Sequence, residues 1–252
     1  MSRAINMGDT SSEALRSLLM QRSFSKAGLA VNSTTNTYTV TIGGTPQIGD
    51  TVTVNVLTEA GLVTGAFEVT VLEDTTDKIA TALELVVEAL VGVASSAAGS
   101  VITVTPATTT EAIVVTAAVT GTEPTTTVAV AETIIGAKGF KTANTIMFGV
   151  NGHMGSQTTQ TNLALTGAVI PVGSFKWWLV TINTTGTLAA TPGTNNVAEL
   201  PAIPADQAVV GAIKVVTDAT HTFTPGVTGL SAAGITDTYY DLSCVPAAGV
   251  PA

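Results

Sequence analysis

Tyr38-Thr-Val-Thr-Ile-Gly-Gly-Thr45, followed by Gly49-Asp-Thr-Val-Thr-Val54, is the stretch on which the reading of the fold turns. Tyr38, Val40 and Ile42 alternate with polar residues, Val52, Val54 and Val56 alternate with Thr and Asn, and Gly43-Gly44 with Pro46 lie between. Successive strand residues point to opposite faces, so this period of two predicts two half-buried antiparallel strands joined by a turn. Working outward, a third apolar run over residues 66–72 leads into Glu73-Asp74-Thr75-Thr76, a polar helix start. Ile79, Leu83, Val86, Val87 and Leu90 then recur at helical spacing with Glu84 and Glu88 opposite, predicting a helix over 76–91 that covers one sheet. Strands are expected over 101–105, 112–119 and 126–135, separated by Pro106 and by Gly121-Thr-Glu-Pro124.

The composition agrees with a mainly β protein. The chain of 252 residues carries 46 Thr, 24 Gly and 11% charged residues, against about 25% charged in an average soluble protein. β-Branched and small residues must therefore form most of the core, which favours strands. Cys244 is the single cysteine, so no intrachain disulfide and no cysteine-rich zinc site can form. The N-terminus lacks the apolar core of a signal peptide, and uncharged stretches are broken by Ser, Gly, Thr, Asn or Pro. Synthesis in the cytoplasm without a membrane span is the expectation.

Charge divides the chain into three regions. Residues 1–35 hold every arginine and net +2, residues 36–135 net −10, and residues 136–252 net −1. The first reads as a basic arm, in which Thr10-Ser-Ser-Glu13 forms a capping box and Leu15, Leu18 and Leu19 share one face of a short helix. A helix this short needs a docking surface for that stripe, supplied either by its own domain or by a partner. Polar linker follows, and Ser33-Thr-Thr-Asn-Thr37 reads as a hinge. The second region reads as strands, one helix and further strands, with an Ig-like β-sandwich as the expected fold. The third is a β-rich domain with strands expected over 145–150, 174–183, 208–216, 221–223 and 237–245, a turn at Asn183-Thr-Thr-Gly186, and an extended Leu200-Pro-Ala-Ile-Pro-Ala205. Residues 246–252 form a small-residue tail.

Catalysis needs titratable groups that converge, and the sequence offers few. His153 in Asn-Gly-His-Met-Gly is expected in a loop and His221 near a turn, and neither has metal-ligand spacing. Cys244 sits in a strand pattern where a small buried residue is expected. Glu73, Asp74 and Asp77 crowd a helix start, where acids complement the helix dipole, and their spacing is not that of a calcium loop. Asn32-Ser-Thr34 and Asn183-Thr-Thr185 match the glycosylation sequon, as chance matches do in so threonine-rich a chain. No catalytic residue, cofactor or metal site is predicted. The aromatic pairs are more informative. Trp177-Trp178 and Tyr239-Tyr240 each send one ring to either side of a strand, so one enters the core and the other meets a sheet edge, a subunit or a sugar ring. Nucleic acid is a poor partner for an acidic chain.

The middle region, through the segments at 38–45 and 49–54, the helix over 76–91 and Ser100-Val-Ile-Thr-Val-Thr105, is similar to β-sandwich modules of tailed-bacteriophage virion proteins. The last region resembles phage fibre or decoration modules through Phe175-Lys-Trp-Trp-Leu-Val-Thr-Ile-Asn183, Leu200-Pro-Ala-Ile-Pro204, Val210-Gly-Ala-Ile-Lys-Val215 and Phe223-Thr-Pro-Gly226. The resemblance covers about residues 36–246 and implies a non-enzymatic virion component of the head or the tail, and a capsid decoration protein or head fibre on the capsid surface is the first expectation. A homotrimer is expected, held to the major capsid protein or other virion proteins by Arg3, Leu15, Arg16, Leu18, Leu19 and Arg22. The alternative is a tail fibre or spike adhesin that binds a host glycan. Trp177, Trp178, Tyr239 and Tyr240 are the candidate subunit or glycan contacts.

Overall fold

The computed structural model describes residues 21–58, 60–70, 74–108 and 111–242. It is mainly β, with several antiparallel sheets and one helix among the described residues. Two compact units divide the chain. One comprises Asn32–Gly139 with Gly226–Ala233, and the other comprises the described part of Met1–Val31 with Phe140–Pro225 and Gly234–Ala252.

The unit holding Asn32–Gly139 is a two-sheet sandwich. Its strands are β3 (Thr37–Gly44), β4 (Thr51–Thr58), β5 (Gly61–Glu68), β6 (Val93–Ala98), β7 (Val101–Pro106), β8 (Val114–Thr120) and β9 (Thr126–Ile134). One sheet runs β6-β7-β3-β9 and the other β5-β4-β8. The alternation read from the sequence becomes burial: Tyr38, Val40 and Ile42 of β3 meet Val52, Val54 and Val56 of β4 in one core. Helix α1 (Thr76–Glu88) closes that core with Ile79, Ala80, Leu83 and Val87. The Thr75 hydroxyl caps it, accepting from the Lys78 amide at 3.3 Å. The helix ends before the expected residue 91, and Val86 lies towards solvent, because the buried stripe follows Ile79, Leu83 and Val87. Strand β6 has no apolar alternation in Val-Ala-Ser-Ser-Ala-Ala, and its pairing with β7 defines it. The third strand lies earlier than the 66–72 expected, because β5 pairs with β4 from Thr58 opposite Gly61.

Asp50 ties the β3–β4 turn to the start of β9. Its carboxylate accepts from the Gln47 and Thr126 amides at 3.3 and 3.1 Å and from the Thr126 hydroxyl. The Thr126 hydroxyl first, then these amides, hold the carboxyl below the ordinary aspartate range.

The other unit is built on a sheet of order β12-β11-β1-β16-β14-β15, with β17 also paired to β16. These strands are β1 (Gln21–Ser23), β11 (Ile146–Val150), β12 (His153–Gln157), β14 (Phe175–Asn183), β15 (Leu188–Pro192), β16 (Gln207–Thr217) and β17 (Ile235–Asp241). A smaller sheet joins β2 (Leu29–Val31), β10 (Gly139–Thr142) and β13 (Leu163–Ala164). Strands β14 and β16 are central, and each is buried along most of its length, so an apolar run replaces strict alternation. Their register shifts between Val180 and Thr181, which leaves Gly211 opposite Val180. A Cβ at Gly211 would strike Leu29 and lie 2.5 Å from the Tyr240 carbonyl oxygen, so only glycine fits there.

Four further expectations are corrected. The polar linker of the arm is not a linker over Gln21–Ser23 and Leu29–Val31: β1 pairs with β11 and touches β16, and β2 pairs with β10. Three-residue strands carry too little periodicity to be read, and their partners define them. The hinge at 33–37 is tied down, since Asn32 and Asn36 are buried and Asn32 Oδ1 accepts from the Thr34 amide and hydroxyl at 3.1 and 2.8 Å. His153 begins strand β12 opposite Val150 rather than sitting in a loop. The expected strand at 221–223 reduces to one bridge, Ile170 opposite Phe223. No helix among the described residues is long and apolar enough to cross a membrane.

Candidate functional site

The aromatic pairs lie on β14 and β17, the two strands that flank β16. Trp178 is fully buried, its indole N–H donating to the Thr166 carbonyl at 2.9 Å and its ring meeting Phe223 edge-on at 6.2 Å. The Lys176 ammonium lies 5.6 Å from the same ring and donates to the Ala168 carbonyl; burial pulls its pKa down. Trp177 points to the opposite face, half-buried. Its ring packs at 5.2 Å and a tilt of 48° on Tyr240, while Lys214 Nζ sits 5.4 Å from Trp177 and 4.8 Å from Phe175. Register splits the tyrosines in the same way. Trp178, Ile213 and Tyr239 form one cross-strand row, and Trp177 opposes Lys214 with Tyr240 two residues along β17 from Lys214's partner Thr238. Burial pushes the Tyr239 phenol above its usual range. Phe175, Trp177, Lys214 and Tyr240 thus form the outward aromatic and cationic cluster, able to stack on an apolar or sugar surface.

Arg3, Leu15, Arg16, Leu18 and Leu19 lie outside the described residues, as do Cys244, Glu73 and the tail. Arg22 lies in β1, opposite Gly149 and Val209, so its backbone belongs to a folded sheet and not to a free arm. His221 serves a turn: its ring nitrogen and amide, with the Thr220 amide, converge on the Asp218 carboxylate at 2.7–2.9 Å. The Thr220 amide first, then His221, hold that carboxyl well below the usual range. No group of three or more His, Cys, Asp or Glu among the described residues could hold a metal ion.

A second cluster, in the sandwich unit, was not anticipated from the sequence. Lys138 lies in a short 3-10 turn (Gly136–Lys138) just after β9, and its side chain is fully buried. The ammonium pairs with Glu132 Oε1 and donates to the Tyr38 hydroxyl at 2.9 Å and the Ile113 carbonyl at 3.1 Å. It also lies 4.9 Å from the Tyr38 ring centroid. Asn36, also fully buried, donates from Nδ2 to the same Glu132 Oε1 at 2.9 Å and to the Ile134 and Ile135 carbonyls, and accepts on Oδ1 from the Ile113 amide at 3.0 Å. These partners settle the amide's orientation, since three acceptors face the nitrogen and one donor faces the oxygen. Burial lowers the Lys138 pKa against the opposing pull of Glu132, and burial followed by the Glu132 charge raises that of Tyr38. The available sequence signal was a lone lysine inside the apolar run Ile134-Ile-Gly-Ala-Lys-Gly-Phe140. A charge there must find a buried partner.

Comparison with known protein families, curated proteins and solved structures finds no match to this chain.

Proposed function

We propose that this chain is a structural protein of a tailed-bacteriophage particle, a decoration protein or head fibre that covers or stabilises the capsid surface. It acts without turnover, as a homotrimer bound to the major capsid protein or other virion proteins through its basic N-terminal residues. The observation that carries this reading is the use made of polar groups. Asp50, Asn36 and Lys138 in one unit, and Lys176 and Thr217 in the other, are buried and bonded to backbone amides or carbonyls of neighbouring segments. Such groups hold loops and strand ends in place, as a load-carrying module requires.

The test is a truncation beginning at residue 21, which keeps β1 and every other described strand. The truncated protein is expected to keep its far-UV circular dichroism and to be missing from particles assembled with it. Full occupancy on purified shells would overturn the anchor. Electron microscopy of particles labelled at the C-terminus locates the protein, and sedimentation equilibrium tests the trimer.

The outward Trp177–Tyr240 stack favours a second reading, a tail fibre or spike adhesin for a host glycan. Glycan-array binding that disappears in Trp177→Ala with oligomeric state unchanged would select it.

A further inference from the structure

We infer that Lys138 and Asn36 become joined by an intramolecular isopeptide bond, formed spontaneously in the folded sandwich unit with Glu132 as the proton carrier. The inference stands on the geometry of three side chains. An amine and a carboxamide, both fully buried, share one carboxylate oxygen: Glu132 Oε1 pairs with Lys138 Nζ and accepts from Asn36 Nδ2 at 2.9 Å. Ile113 brackets the pair, its amide donating to Asn36 Oδ1 at 3.0 Å and its carbonyl accepting from Lys138 Nζ at 3.1 Å. The shared oxygen sets the amine beside the carboxamide, and the Ile113 N–H is aimed at the carboxamide oxygen.

Each part of the arrangement corresponds to a step of amide exchange. In a site that penalises charge, the Lys138 ammonium passes a proton to Glu132 and becomes a neutral nucleophile, in line with its burial-lowered pKa. The Nζ lone pair then forms a bond to Asn36 Cγ, and the carbonyl π pair moves onto Oδ1, where the Ile113 N–H meets the developing negative charge. Glu132 protonates Nδ2, to which it is already hydrogen-bonded. The Oδ1 pair returns, the Cγ–Nδ2 bond breaks and ammonia leaves. The new amide nitrogen gives its extra proton back to Glu132. Amine and carboxamide become a secondary amide plus one ammonia, with no oxidant or co-reactant. The Glu132 side chain is 29% exposed, which provides an exit for ammonia. Proximity enforced by folding replaces a catalyst, as in other oriented intramolecular reactions.

Packing holds the nucleophile's target in place. Gly136 adopts φ +60°, and a Cβ there would lie 2.5 Å from the Asn36 backbone nitrogen and 2.7 Å from its Cα. The glycine therefore lets the turn carrying Lys138 close onto Asn36. Asn36 precedes the unit's first strand and Lys138 follows its last, so the bond would link its two ends.

The test is intact-protein mass spectrometry of the purified full chain, incubated folded at neutral pH until its mass is constant, followed by tryptic peptide mapping. The expected mass is lower than that of the sequence by about 17 Da, the ammonia released, and the peptide containing Asn36 should appear joined to that containing Lys138. Glu132→Gln, Lys138→Met and Asn36→Ala should each restore the unmodified mass. Wild-type protein at its full sequence mass would overturn the inference whether or not any variant folds. So would a loss of ammonia that maps elsewhere, such as a succinimide at Asn151-Gly152, without the joined peptide.

Discussion

Adjacent tryptophans with identical chemistry offer a direct test of how the β14 sheet is built. Trp178 is buried against Phe223 with its N–H on Thr166, whereas Trp177 lies on the other face against Tyr240 and Lys214. Removing a buried tryptophan costs about 3–5 kcal/mol, and Trp178→Ala belongs at the upper end because the Thr166 carbonyl loses its donor. Trp177→Ala loses a tilted ring pair and a partly solvated cation contact, together about 1–2 kcal/mol. With a urea dependence of about 2 kcal/mol per M, the midpoint should fall by about 2 M for Trp178→Ala and by less than about 1 M for Trp177→Ala. These are the chain's two tryptophans, so in each variant the remaining indole reports unfolding of its own unit. The corresponding phenylalanine variants add a check: Trp178 alone should emit at shorter wavelength and resist acrylamide quenching more than Trp177 alone. Equal midpoint shifts, or a larger one for Trp177→Ala, would refute the assignment of faces.

Other outcomes follow from the same packing. The Asp50 carboxyl is depressed in the folded state, so its stabilisation is complete above the unfolded value of 3.8 and fades as pH falls through the lower folded value. Asp50→Asn should therefore lower the thermal midpoint at neutral pH and flatten its acid dependence, read by melting at pH 7 and below pH 4; an unchanged acid slope would count against the Thr126 tie. Leu83→Ala, at the centre of the helix face in the sandwich core, should cost about 2–5 kcal/mol in denaturant unfolding, against about 1 kcal/mol for Thr75→Ala at the cap. Gly211→Ala should cost about 1–3 kcal/mol, because the backbone carbonyl of Tyr240 and the buried Leu29 stand where the methyl would go.

Period and punctuation in the chain were enough to determine the mainly β class, the alternating core of β3 and β4, the helix that covers it, and the central strands β14 and β16. Those signals are local: an apolar side chain every second or every third to fourth residue has one way to face a core. Tertiary structure decided the remainder. β1, β2 and β6 are too short or too small-residued to carry a pattern, and they are strands because a neighbour offers hydrogen bonds. Which of Trp177 and Trp178 enters the core depends on which side of the sheet the core occupies, a fact held by the partner strands and not by the pair itself. The cluster of Asn36, Glu132 and Lys138 lay beyond local reading for the same reason. Glu132 lies ninety-six positions beyond Asn36, and only the pairing of β3 with β9 brings an amide, a carboxylate and an amine to one point.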